Sequence, residues 1–225
     1  MSALHPLGAV PARERRERLL DLIRREAYME GDFTLSSGAK SSFYLDCRLV
    51  TLHPVGALLV GTFVVQEMKR LGVTCVGGPT LAADPIVGAA VGLSPLMEWP
   101  VDGFIVRKAA KEHGTGKLIE GRLPENVDVL MVEDVITSAG SVIRAIEAVR
   151  ERGCNVKAVW ALVDRQAGGV QAIQDLGIEV RPMFTLEEVQ AARPEGDDSR
   201  RSVAPWDRHW KPSSGSGAGE ARSDG

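Results

Sequence analysis

The chain has few cysteines, no histidine cluster and no long apolar run, and each shortage narrows what it can be. Cys47, Cys75 and Cys154 stand far apart with no CxxC pair, which argues against a disulfide framework or a zinc site and fits a reducing cytoplasm. His5, His53, His113 and His209 are scattered and HExxH does not occur, so no histidine-based metal site is expected. No apolar run approaches the length of a membrane span. The opening MSALHPLGAVPARERR has only a short apolar stretch, broken by Pro6 and followed by its charges, so no signal peptide is expected. A formal net charge of -3 lacks the surplus of Lys and Arg on which non-specific nucleic-acid binding depends. Nothing repeats internally, which argues against a solenoid.

What is present is ordinary in bulk: 44% hydrophobic and 25% charged residues in 225 describe a globular protein whose class must be read from pattern. Residues 12–26 place Leu19, Leu20 and Ile23 on one stripe, predicting an amphipathic helix. FTLSSGAKSSFYLDCR, residues 33–48, alternates around a Ser-Gly turn and predicts a hairpin. Further helices are predicted at 55–70, 83–91, 141–152, 170–176 and 186–191, and strands at 73–76, 103–106, 127–132, 158–163 and 180–184. Alternation of this kind predicts an α/β fold, a central parallel sheet flanked by helices, preceded by a small N-terminal hood. We expect one domain over 1–192, with the hood at about 12–50 and the core at about 55–190. From residue 193 the composition turns to Pro, Gly, Ser and mixed charge, predicting a flexible tail over 193–225 in which Trp206 and Trp210 make at most a peripheral contact.

The stretch VLMVEDVITSAGSV, residues 129–142, is the most informative. A strand interior is a costly place for charge, so Glu133 and Asp134 are expected where the strand emerges, facing a ligand that supplies donors. Val135, Ile136, Thr137, Ser138, Ala139, Gly140 and Ser141 follow, with small side chains, hydroxyls and approachable backbone N–H groups at the start of a helix. Such a turn suits a phosphate, and the paired acids suit sugar hydroxyls, so the ligand read from the residues is a ribose 5-phosphate. The plainer alternative is a helix cap made by Ser or Thr. Rival phosphate motifs fail: GTGK at 114–117 has Lys111 in place of the first Walker glycine and Leu118 in place of Ser or Thr, and Gly215 to Gly219 follows no strand.

Three other clusters bear on chemistry. Arg107, Lys108, Lys111 and His113 crowd cations onto one loop bounded by Gly114 and Gly116; either an anion arrives to neutralise them or the loop is solvated surface. GGPTLAAD offers the backbone of Thr80, Leu81 and Ala82 to a second phosphate, or is simply a tight connection. Arg165 matches a carboxylate ligand in bidentate fashion, or else pairs with Asp164.

These stretches carry a family resemblance. VLMVEDVITSAGS resembles the phosphoribosyl pyrophosphate (PRPP) motif of the type I phosphoribosyltransferases. FTLSSGAKSSFYLDCR, GGPTLAADPI, FIVRKAAKEHGTGKLIEG and ALVDRQ resemble the orotate-specific branch of that family, over roughly residues 13–189. The resemblance implies transfer of the 5-phosphoribosyl group from PRPP to orotate in pyrimidine (UMP) biosynthesis, with Mg²⁺ as cofactor held mainly by PRPP and water. It implies catalytic roles for Lys111, His113 and Asp134, with PRPP also held by Arg107, Lys108, Glu133, residues 135–141 and the turn at 80–82. Orotate would meet Thr137, Arg165, Phe33 and Ser36. A homodimer is implied, with a mobile loop at 107–117 shared across subunits. Many relatives carry Lys where Ser36 stands, and some where Ala82 stands, which shifts charge onto the loop and Mg²⁺. The alternatives are a phosphoribosyltransferase for another nucleobase and a PRPP-sensing regulator with the same fold.

Overall fold

The computed structural model describes residues 10–34, 40–109 and 118–191. The chain divides into two units, Met1–Ala191 and Ala192–Gly225, and every described residue belongs to the first. The Ser-Gly turn, most of the cationic loop, both tail tryptophans and the tail as a whole lie outside the described residues.

Eight strands and seven α-helices are found among the described residues. Helix α1 (Ala12–Leu22) runs into a π-helical turn, Ile23–Ala27, and buries Leu19, Leu22, Ile23 and Ala27. The hood hairpin pairs β1 (Tyr28–Thr34) antiparallel with β2 (Lys40–Leu45), so its first strand begins five residues before the predicted stretch. A short helix α2 (Arg48–Thr51), not anticipated, leads to α3 (Pro54–Leu71). His53 Nδ1 accepts from the backbone N–H groups of Val55 and Gly56, Pro54 sits in the first turn, and Gly72 ends the helix at φ 69°, the expected start and stop chemistry.

The core sheet has the order β5-β4-β3-β6-β7-β8, from β3 (Cys75–Pro79), β4 (Asp102–Val106), β5 (Ile119–Gly121), β6 (Asp128–Ile136), β7 (Asn155–Asp164) and β8 (Glu179–Thr185). All pairings are parallel except β4 with β5. The central parallel sheet expected from the alternation is present, and it carries one antiparallel edge strand, three residues long and too short to show a period. Helices α4 (Asp84–Leu93), α5 (Gly140–Arg150), α6 (Gly169–Gln174) and α7 (Leu186–Gln190) complete the fold.

Alternate residues of the central strands feed two apolar layers. Leu130, Val132, Trp160 and Leu162 pack with α1, α3 and α4, while Val129, Met131, Val159 and Ala161 pack with α5 and α6. Each such fully buried aliphatic side chain contributes about 1.5–3 kcal/mol, so both faces of β6 and β7 are committed to the core. Gly61 lets α3 and α4 approach: a Cβ there would lie 2.8 Å from Leu93 Cδ1 and 2.9 Å from the Ala89 carbonyl carbon.

One expectation is corrected outright. Glu133 and Asp134 do not stand past the end of their strand, because β6 continues to Ile136, paired with β7 through Val135↔Val163 and Ile136↔Asp164.

Candidate active site

The carboxylates are inside a strand, yet only one edge of that strand is covered there. β3 pairs with β6 at Val76↔Leu130 and Gly77↔Met131 and no further, while β7 stays paired to the end. The chain leaves β3 toward β4 and leaves β6 toward β7, so the crossovers part between β3 and β6. A crevice opens beyond the carboxyl ends of two strands at such a parting. Gly78 permits the close approach below it, since a Cβ would fall 2.2 Å from the Val132 carbonyl oxygen.

Two adjoining cavities occupy the crevice. The smaller, about 290 Å³, is lined by Glu133, residues 135–142 and Arg144. The larger, about 360 Å³, takes Leu45, Asp46 and Arg48 from the hood side, Pro79, Thr80, Leu81 and Ala82 from the β3 turn, and Lys108, Glu133, Asp134, Val135, Thr137, Ser141 and Arg165. Glu133, Val135, Thr137 and Ser141 border both.

Glu133 is only 4% exposed. Its Oε2 accepts from Ser141 Oγ at 3.1 Å and its Oε1 from the Asp134 backbone N–H at 3.3 Å. Asp134 Oδ1 accepts from the Val135 backbone N–H at 2.6 Å. Burial pushes both carboxyl groups above the ordinary carboxylate range; the Asp134 charge adds to this at Glu133, whereas the Val135 amide and Arg48 oppose it at Asp134. A buried acid beside a partly buried one is unfavourable until hydroxyl or cationic donors reach them. They are poised for a ligand that brings such donors.

The turn after them is not an ordinary cap. Helix α5 has Ala139 at its N-cap, in the left-handed region at φ 62°, with no side-chain cap, and the Ser141 hydroxyl is turned to Glu133. The alternative in which Ser or Thr satisfies the first turn is therefore not realised. N–H groups at a helix start have no intrahelical partner, and a left-handed residue just before it curls the backbone into an anion-binding nest. Gly169 braces this curl from below: its N–H donates to the Thr137 carbonyl at 2.9 Å, and a Cβ would meet that oxygen at 2.4 Å.

The other expected residues are distributed unevenly. Arg165 lines the larger cavity with its guanidinium 4.9 Å from the Phe43 ring centroid, and its N–H donates to Ile136. It makes no ion pair with Asp164, whose Oδ1 accepts from the Gln166 backbone N–H. Lys108 also lines the larger cavity, whereas Arg107 lies 3.7 Å from Glu120 on β5. The 80–82 turn contains a cis Thr80–Leu81 peptide. Phe33 packs against Tyr44 and borders neither cavity. Ser36, Lys111 and His113 lie outside the described residues.

Three charged residues of the crevice were missed. Arg144 stands one helical turn after Gly140, a spacing that returns its side chain to the N-terminus of α5. Asp46 and Arg48 follow the hairpin as a close acid–cation pair, the signal that could have marked them.

Comparison with known proteins supplies the name of the fold. No family model matches the chain. An orotate phosphoribosyltransferase of Rhodopirellula baltica is 43% identical over 176 residues, 76% of this chain and 91% of the relative. The chain belongs to the orotate phosphoribosyltransferases. The orotate phosphoribosyltransferase of Thermosynechococcus vestitus is 45% identical over 177 residues, 78% of this chain and 93% of that one. Among solved structures, the Mycobacterium tuberculosis H37Rv orotate phosphoribosyltransferase in complex with PRPP is 33% identical with a TM-score of 0.66, covering 79% of this chain and 99% of that one. A Trypanosoma brucei adenine phosphoribosyltransferase at 15% identity and a TM-score of 0.60 shares the fold alone.

Proposed function

We propose that the crevice between β3 and β6 carries out the reaction of the orotate phosphoribosyltransferases: transfer of the 5-phosphoribosyl group from PRPP to orotate, giving orotidine 5′-monophosphate and pyrophosphate, in pyrimidine biosynthesis. The observation that carries this reading is the uncapped start of α5 set beside a buried Glu133 and a partly buried Asp134. The 5′-phosphate sits in the smaller cavity on the backbone of residues 137–141. The ribose hydroxyls donate to Glu133 and Asp134, adding to the Ser141 hydroxyl and the backbone N–H groups that already reach those carboxyl groups. The pyrophosphate lies toward the 80–82 turn, held by backbone and by Arg107, Lys108, Lys111 and His113. Orotate presents its carboxylate to Arg165 and lies against Thr137 and the hood, with Phe33 and Ser36 at its outer side.

The chemistry needs no covalent enzyme intermediate. As pyrophosphate departs, positive charge develops on the ribose ring, and fixed carboxylates beside it are oriented to stabilise that charge without reorganising. Lys111 and His113 offset the charge growing on the leaving group, and the glycine-flanked loop at 107–117 keeps water from the ring while it closes. The hard oxygen donors of Glu133 and Asp134 fit Mg²⁺, although among the described residues no group of three or more His, Cys, Asp or Glu side chains forms a metal cage. Bound with substrate, that ion supplies charge neutralisation at the pyrophosphate. A homodimer in which the loop serves the neighbouring subunit, and a cytoplasmic location, complete the proposal; among the described residues no helix is long and apolar enough to cross a membrane.

The deciding experiment follows orotate consumption by its ultraviolet absorbance, with and without PRPP and Mg²⁺, against uracil, hypoxanthine and adenine. Turnover of orotate dependent on both supports the proposal, and turnover of another base in its place overturns it. Loop sharing is tested by mixing Lys111→Ala chains with Asp134→Asn chains, where partial recovery of activity in heterodimers is expected and none would refute the sharing.

A further inference from the structure

Among the described residues, the larger cavity has an acid load that the expected cations lining it do not balance. Asp46, Glu133 and Asp134 face Lys108 and Arg165, and the turn at 80–82 brings backbone but no charged side chain. A leaving pyrophosphate placed among them requires further cationic donors in the wall. Arg48 is the remaining cation lining this cavity among the described residues.

Its geometry is set by Asp46. Arg48 Nε donates to Asp46 Oδ1 and Arg48 Nη2 to Oδ2, each at 2.8 Å, and the Arg48 backbone N–H donates to Oδ1 at 3.1 Å. The Asp46 side chain is 18% exposed and that of Arg48 47%, so the carboxylate is set into the wall and the guanidinium reaches out of it. A guanidinium has five N–H donors. The clamp uses two of them and leaves three on a group whose plane is already fixed, which lowers the ordering cost of gripping an anion.

We propose that Arg48, oriented by Asp46, binds the pyrophosphate of PRPP in the larger cavity, and that Asp46 is its positioning residue. This rests on the reading of the crevice given above.

The test is steady-state kinetics of Arg48→Gln, Arg48→Lys, Asp46→Asn and Asp134→Asn, run forward and, with orotidine 5′-monophosphate and pyrophosphate, in reverse. Arg48→Gln is expected to raise KM for PRPP and for pyrophosphate by about tenfold or more, as loss of a charge-assisted contact does. KM for orotate and inhibition by ribose 5-phosphate, which has no pyrophosphate, should stay within about twofold. Arg48→Lys should recover part of the loss, and Asp46→Asn should show a smaller rise in the same two constants. An unchanged KM for pyrophosphate overturns the proposal, as does a rise confined to orotate. A uniform loss with a lowered Tm shows structural support only and also overturns it. If Asp134→Asn weakens PRPP binding while Arg48→Gln is silent, only the assignment of Arg48 fails; if both are silent, the reading of the crevice fails with it.

Discussion

Two strand-to-helix junctions face each other across the crevice, and they solve the problem of holding phosphoryl groups differently. The one after β6 carries a buried Glu133 beside a partly buried Asp134, a left-handed Ala139 and no side-chain cap on its helix. The one after β3 has no acid before its turn, keeps Thr80 Oγ1 bound to Asp84 Oδ2 at 2.8 Å, and leaves Leu81 67% exposed. The first is a complete pocket formed within one segment. The second is one wall, and on the proposed reading the charge for its ligand comes from elsewhere, from Arg48 and from the cations among residues 107–113. Topology makes both junctions available to a ligand; on the proposed reading, the residues decide which end of PRPP each receives.

The largest expected effect tests that dependence. Lys111→Ala should lower kcat by about a hundredfold or more while changing KM for PRPP far less, since its contact strengthens as pyrophosphate departs. Equal losses in both would make it a ground-state contact and would put the β3 side on the same footing as the β6 side. Next, Asp134→Asn should raise KM for PRPP by about ten- to a hundredfold without lowering Tm, because it removes a partly buried acid that the empty protein holds at a cost. A collapsed Tm would make Asp134 structural.

Gly169→Ala sharpens the comparison further, for it touches only the β6 junction. A Cβ 2.4 Å from the Thr137 oxygen must displace the nest, and overpacking of this kind costs about 1–3 kcal/mol. We expect weaker inhibition by ribose 5-phosphate, with KM for pyrophosphate in the reverse reaction nearly unchanged. Equal loss of both ligands would mean that the two junctions move as one.

The smallest effect is on pH. The folded Glu133 carboxyl titrates above its unfolded counterpart, so its contribution to stability is full below the ordinary carboxylate range near 4.3 and is lost as pH rises through the raised value. The substrate-free protein should therefore lose Tm relative to Glu133→Gln as pH climbs from acid to neutral and beyond. A constant difference in Tm between the two proteins would show that burial does not perturb this acid.

Much of this was legible in the sequence, and what was not has physical reasons. The alternation of strands and helices announced the sheet, and the residues from Glu133 to Ser141 marked the crevice as a candidate phosphate and sugar site because hydroxyls, glycine and paired acids rarely coincide at a helix start. The strand end was misjudged because charge was assumed to exclude sheet pairing. β6 escapes that rule by pairing on one edge and opening on the other, a property of its neighbours β3 and β7 that no local window contains. Asp46 and Arg48 were hidden for a similar reason. Their hydrogen bonds are local, but their place in the wall depends on where the hairpin meets the β3 turn, some thirty residues on.

The most direct test of the central claim is a crystal structure of this protein with PRPP and Mg²⁺ bound. We predict the 5′-phosphate within hydrogen-bonding distance of the backbone N–H groups of residues 137–141, and the ribose hydroxyls on Glu133 and Asp134. Density for PRPP elsewhere on the protein, with none of it against these groups, would contradict the account.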